Sequence, residues 1–135
     1  MRRLVFALVL ISVVGLGTVL VRSGCETPVP NTPQGILTAA IESLAVQDAD
    51  LTSSYFTGVA YNQMRSGLDD FFVYENIEVD NITVDLLEQS PTIAMVYIEY
   101  DLTFSAMGYS DTVKINRIVR CIKESDGQWY VGSMI

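Results

Sequence analysis

Near residue 77 the spacing of apolar residues shifts from a period of about 3.6 to a period of about 2, so one chain of 135 residues must carry helices first and strands afterwards. Within 92–105, Ala94, Val96, Ile98, Tyr100, Leu102 and Phe104 alternate with Met95, Tyr97, Glu99, Asp101, Thr103 and Ser105. That alternation predicts a long, half-buried strand. Residues 110–123 supply its hairpin partner, and pairing Ser105 with Ser110 around Ala106–Tyr109 is the register that aligns the apolar faces. Leu102 then meets Val113, Tyr100 meets Ile115, Val96 meets Val119 and Ala94 meets Cys121. On the other face Asp101 meets Lys114, an opposite-charge pair that supports the same register. Ile115, Ile118, Val119 and Ile122 also fit a helix, but their β-branched content favours the strand. Glu124–Gln128 predicts a three-residue loop with Gly127 in the left-handed conformation, and the last strand starts at Trp129.

Upstream, Thr32 followed by Pro33 is an N-cap and first-turn signature, and Ile36, Leu37, Ala40, Ile41, Leu44 and Ala45 continue it as an amphipathic helix. Asp48 and Asp50 cap a second, shorter helix carrying Leu51, Tyr55 and Phe56, which Gly58 can end. A third, from about Tyr61 to Phe72, places Tyr61, Met64, Leu68, Phe71 and Phe72 on one side, with Gly67 weakening it. The fold class expected for residues 33–135 is therefore α+β: N-terminal helices packed on a curved antiparallel sheet of about four strands.

Residues 4–21 belong to no such domain. They contain no charge, only Ser12 and Thr18 are polar, and Arg2 and Arg3 precede them. This is the order of an export signal, and the positive-inside rule sends the domain beyond it to the extracytoplasmic side. Residues 1–25 are read as a signal or anchor and 26–32 as a proline-containing linker. Ser23, Gly24 and Cys25 resemble a bacterial lipoprotein signal, in which the cysteine is lipidated, although Arg22 stands where that pattern has an aliphatic residue. Lipidation of Cys25 and an uncleaved membrane anchor both remain open, and either tethers the domain to the outer face of the cell membrane.

Composition then excludes several chemistries. Without histidine there is no imidazole base, relay or zinc ligand. The net charge is −8, and three of the eight basic residues, Arg2, Arg3 and Arg22, lie in the leader. So acidic a domain is repelled by nucleic-acid phosphates and by anionic headgroups. No cofactor is expected, and no metal: Asp48 with Asp50, and Asp69 with Asp70, fall short of the six or more oxygens that calcium takes. Cys121, in an apolar segment, reads as a buried inert thiol, and the sequon Asn81-Ile82-Thr83 as a coincidence.

Helices first, then long antiparallel strands ending in Asp126-Gly127-Gln128-Trp129-Tyr130-Val131, resemble the nuclear transport factor 2-like superfamily, the cystatin-like cone that also includes SnoaL-like proteins. The resemblance covers 33–135 and is nearest to small membrane-anchored or lipoprotein members of unassigned function. It implies a sheet curved round helices, a pocket between them, and dimers through the sheet. Enzymatic members such as ketosteroid isomerase and scytalone dehydratase carry pocket Asp, Tyr or His residues, and no such motif matches here position by position.

The register puts Arg117 on the apolar face, opposite Ile98 and between Ile115 and Val119. A guanidinium there either marks the floor of a pocket and anchors an anionic ligand, or escapes to water at an edge or through a bulge near Asn116. Tyr55, Tyr61, Tyr100 and Trp129 are candidates for the lining of the same pocket, with a role in the core as the simpler alternative. Glu99 and Asp101 share the polar face and read as a solvated pair. That face also carries Ile93, Met95, Tyr97, Ile118, Ile122 and Tyr130, enough apolar surface to suggest a homodimer through the sheet. The function expected is a membrane-tethered, non-catalytic binding or protein-interaction module taking a small anionic or apolar ligand. The alternative is a small pocket enzyme of isomerase or dehydratase type, for which Asp69 and Asp70 are the only carboxylates placed near a pocket mouth.

Overall fold

The computed structural model describes residues 28–135. The expected anchor at 4–21, lipidation at Cys25 and the first two linker residues lie outside the described residues. No helix among the described residues is long and apolar enough to cross a membrane.

Helix α1 (Pro33–Glu42) begins where the sequence places it: the Thr32 hydroxyl accepts from the Gly35 N–H at 3.0 Å, and Pro33 occupies the first turn. A 3₁₀ turn (Ser43–Val46) continues it and ends at Gln47, whose φ of 60° reverses the chain. Asp48 caps the short α2 (Ala49–Ser53) by accepting from the Asp50 and Leu51 N–H groups. Buried hydroxyls join these elements. Ser43 Oγ donates to the Ala40 carbonyl and lies 2.7 Å from Thr52 Oγ1, so both are satisfied within the core.

Gly58 does not end the second helix but starts the third. Helix α3 runs Gly58–Phe71, while residues 55–57 extend beside the last strand through Val131 N–H to Tyr55 O at 2.7 Å and Thr57 N–H to Val131 O at 3.0 Å. This earlier start changes the inward face of α3. Ala60, Met64 and Leu68 are buried, whereas Tyr61 is 41% exposed. A small residue at 60 offers no period signal against the large Tyr61 beside it, which is why the sequence pattern misassigned the stripe.

Strands β1 (Asn76–Gln89), β2 (Ile93–Ala106), β3 (Tyr109–Lys123) and β4 (Trp129–Val131) form one antiparallel meander in that order. The β2–β3 register is the expected one throughout, with Ser105 opposite Ser110, Tyr100 opposite Ile115, Ile98 opposite Arg117, and Asp101 opposite Lys114. The turn is tighter than expected. Ala106 pairs with Tyr109, and Met107 (φ 53°) and Gly108 (φ 81°) make a two-residue loop with both residues left-handed. The bulged loop at Gly127 (φ 82°) is as predicted. No bulge interrupts β3 near Asn116; the irregularities fall in β1, between Asp80 and Thr83 and between Leu86 and Glu88. Each inserts one residue against β2 and bends the sheet.

α1 packs across the inner face of the sheet, and Ile36, Leu37, Ala40 and Ile41 meet Ile77, Ala94, Val96, Ile98, Val119 and Val131 in one core. Asn31, assigned to the linker on sequence grounds, is held by the domain: its Nδ2 donates to Gly127 O and its Oδ1 accepts from the Trp129 N–H, both at 2.9 Å. Cys121 is fully buried, and burial pushes its thiol up to about 12, so it is not a thiolate at neutral pH.

Candidate functional site

α1 does not reach the β2–β3 hairpin end of the sheet, and α3 crosses at a distance that leaves a cavity of about 250 Å³. Met64, Gly67, Leu68 and Phe71 of α3 form one wall; Tyr100 and Leu102 of β2, with Ile115 of β3, form the floor. Leu44 of the 3₁₀ turn closes one side, and Met134 and Ile135 close another. The last two residues are brought there by the backbone of 132–133: Gly132 N–H donates to Arg120 O at 2.7 Å, and Ser133 Oγ accepts from the Arg120 N–H at 3.1 Å. Gly132 is required for this approach, because a Cβ there would lie 2.6 Å from Ile122 Cδ1 and 3.2 Å from Arg120 O. Beyond Phe71, an edge-packed cluster with Phe72, Tyr74 and Phe104 closes the hairpin end. Gln47 fixes that cluster by donating to Tyr74 O at 2.7 Å.

Gly67 is the informative wall residue. A mid-helix glycine costs roughly 1 kcal/mol relative to alanine, so it needs a reason. Packing supplies none, since a Cβ at this position would meet nothing within 4 Å. Gly67 is exposed at the cavity wall, where a side chain would have open space in front of it.

Among the described residues the lining contains two polar side chains, Gln63 at the exposed rim and Tyr100 on the floor. Tyr100 is 1% exposed, and its hydroxyl makes no hydrogen bond with any described residue. Burial raises its pKa to about 12 against a smaller opposing pull from Arg117, so it is a neutral donor at physiological pH. No carboxylate, amine or guanidinium side chain of a described residue belongs to the lining, and no group of three or more metal-ligating side chains occurs among the described residues.

Of the residues proposed from sequence, only Tyr100 lines the cavity. Arg117 holds its expected place opposite Ile98, but it lies along the part of β3 that β4 leaves unpaired, exposed, with Nη1 3.5 Å from its neighbour's carbonyl at Asn116. Its long side chain reaches water there without a bulge. Trp129 is buried under Lys123 at the opposite end of the sheet, Tyr55 is half-buried beside β4, and Tyr61 faces outward. Asp69 and Asp70 are exposed; Asp69 pairs with Arg65, which also reaches Asp50. Glu99 and Asp101 sit on the outer face, both bonded to Lys114 at 3.2 and 3.1 Å. Sequence reasoning missed Gln63, Met134 and Ile135, which carry no periodic signal. It noted Gly67 only as a weak point in a helix.

A wider groove of about 530 Å³ runs between Pro28–Pro30, α1 and Val84, but it is lined by no buried polar side chain. The smaller cavity is therefore the candidate site.

No family model and no curated protein matches the chain. Solved structures do. A "putative aromatic ring hydroxylase" from Novosphingobium aromaticivorans superposes with a TM-score of 0.68 at 12% identity, covering 80% of this chain and 88% of that one. A "putative dehydratase from the NTF2-like family" from Streptomyces avermitilis gives 0.61 at 15% identity, over 73% and 86% of the two chains. The fold is nuclear transport factor 2-like. The same fold likeness extends to a "putative calcium/calmodulin-dependent protein kinase type II association domain" from Thiobacillus denitrificans, with a TM-score of 0.61 at 11% identity over 80% and 94% of the chains. The nuclear transport factor 2-like cone thus appears here with a cavity between α3 and the sheet, as the resemblance implied, and with an apolar lining.

Proposed function

We propose that this chain is a non-catalytic binding module that takes a small, largely apolar ligand in the cavity under α3. One observation carries the reading: the cavity between α3 and the sheet is lined almost wholly by apolar side chains, with Gly67 as an open place in its helical wall. The lining supports a binding role over catalysis, because proton transfer needs a base within reach of the bound molecule and no described side chain of the cavity walls is one. It also favours the apolar over the anionic ligand, since Arg117 stands outside the lining. A dehydratase-type enzyme is the second reading, favoured by the name of the Streptomyces avermitilis neighbour of the same fold.

The module is further proposed to be tethered at the extracytoplasmic face of the membrane by residues 4–21 or by a lipidated Cys25, and to pair with a second copy through the outer face of its sheet. The charge-free run behind Arg2 and Arg3 supports the first, and the partly exposed Ile93, Ile118 and Tyr130 support the second.

Thermal-shift screening of the full chain against small apolar compounds tests the ligand reading, with Gly67→Leu as the filled-cavity control. Shifts in the native chain that vanish in a folded Gly67→Leu variant are expected. Equal shifts in both would place binding elsewhere, and turnover of a hydroxylated ring compound by the purified chain would favour the dehydratase. Membrane fractionation followed by mass spectrometry of the N-terminus checks the tether and separates lipid from peptide anchor.

A further inference from the structure

Among the described residues β1 forms one edge of the sheet, and beyond the short β4 the strand β3 forms the other. The two edges are built differently. The β1 edge is interrupted by two bulges, by Asn81 with a φ of 56°, and by the charges of Glu78, Asp80, Asp85 and Glu88. Such features keep a further strand from adding to an edge. The register of β3 against β2 is unbroken, and Tyr109–Lys123 holds neither glycine nor proline.

The direction of the free backbone groups follows from Arg120, whose N–H and C=O both meet residues 132–133 on the β4 side. Alternation along a strand turns the N–H and C=O of Thr112, Lys114, Asn116 and Ile118 to that same side. No described strand pairs with them there, and all four residues are exposed. Charge singles out the same strand. Of the five basic residues in 28–135, the four other than Arg65 stand on β3, beside one carboxylate, Asp111. Lys114 is held by Glu99 and Asp101, and Lys123 lies over Trp129. Arg117 and Arg120 have no carboxylate partner among the described residues. An acidic domain thus carries a basic strip along its one smooth edge.

We infer that the β3 edge between Thr112 and Ile118 docks an extended, acidic segment of another protein as an added strand. Backbone pairing supplies the adhesion, and Arg117 and Arg120 select the charge. The two arginines stand on opposite faces of the strand, so a segment with carboxylates on both of its faces fits best. A second copy of this chain is the poorer occupant. β3 against β3 would bring like charges together, and the acidic β1 presents an edge broken by its bulges.

Fluorescence anisotropy on the full chain in zwitterionic phospholipid nanodiscs tests this with three labelled peptides. The first is Thr-Val-Glu-Val-Glu-Glu-Val-Thr, capped at both ends. The second has lysine for each glutamate, and the third has proline for each valine, which keeps the charge and removes donors from both edges of the peptide. The first is expected to bind about tenfold more tightly than either control. Asn116→Pro removes one outward N–H without touching the ladder to β2, and it should weaken the first peptide about tenfold. Arg117→Glu combined with Arg120→Glu changes two exposed side chains and should turn the preference to the lysine peptide. Equal binding of the valine and proline peptides, or affinity untouched by Asn116→Pro, would leave charge attraction alone and overturn strand addition. A native chain that holds the lysine peptide as tightly as the acidic one would overturn the partner's charge. Self-association of the native chain that Asn116→Pro abolishes would give the edge to a second copy instead. Binding of none of the three by the native chain would overturn the inference, whatever the cavity takes.

Discussion

The inner face of β3 has two halves that look alike in sequence and behave differently in the fold. Val119 and Cys121 are fully buried, while Val113 is 39% exposed, Ile115 half-buried and Arg117 exposed, although all five alternate inward along one strand. The difference lies in what covers them. α1, β4 and residues 132–133 close over the first half, whereas α1 stops short of the second and leaves the cavity. Alternation assigns a residue to a face; the reach of another element decides whether that face is dry. The candidate site is a consequence of that incomplete cover.

The largest expected effect breaks the comparison at its simplest point, by making the same truncation in both halves. Val119→Ala should destabilise the domain by about 2 kcal/mol, through lost burial and an uncollapsed void, while Val113→Ala should cost about 0.5 kcal/mol or less. Urea denaturation of the two variants measures this directly. Equal losses would mean that the hairpin half is covered in solution, and the open cavity would go with it.

Tyr100 lies at the boundary and makes the second test. Its pKa is raised to about 12 by burial, against an ordinary value near 10, so the neutral form stabilises the fold fully below about pH 10 and that stability is lost as pH climbs toward 12. Between about pH 9 and pH 11 the native chain should lose roughly 1 kcal/mol more than Tyr100→Phe. Cys121 titrates in both proteins and cancels. A native alkaline limb no steeper than the variant's would show that water reaches the cavity floor.

Gly67 bears on the open half from the helix side. Gly67→Ala is expected to stabilise the domain by roughly 0.5–1 kcal/mol, because helix propensity improves and the new methyl meets nothing. A destabilised variant, measured in the same urea assay, would mean that the wall is already packed.

These contrasts also show what the sequence could convey. The β2–β3 register was legible because strict alternation and the Asp101–Lys114 pair leave one solution, and it places Arg117 opposite Ile98 without error. Exposure of Arg117 was not legible, since it depends on where β4 ends and how far α1 extends. Ala60 went unnoticed because a methyl group gives a weak period signal, and Tyr61 beside it gave a false one. The cavity walls at Met134 and Ile135 depend on a close backbone contact at Gly132 that no local pattern announces. Only Gly67 left a trace, as a glycine where a helix should not want one.

The smallest expected effect lies on the opposite face of the same open half, where Lys114 binds both Glu99 and Asp101. The hydrogen bond from Asn81 and then that from Lys114 hold the Asp101 carboxyl below its ordinary value; for Glu99 the Tyr97 hydroxyl comes first and Lys114 second. A depressed carboxylate pKa stabilises the fold above the unfolded value, near 4, and the contribution is lost as pH falls through the folded value. Lys114→Met should therefore flatten the acid limb of a melting-temperature profile between about pH 6 and pH 3, without abolishing it, because Asn81 and Tyr97 still favour the ionised forms. The network is exposed, so 0.5 M salt should shrink the difference between native and variant. An acid limb identical in the two proteins at low salt would show that the cluster contributes nothing to folding. The polar face of the hairpin would then owe its order to β-pairing alone.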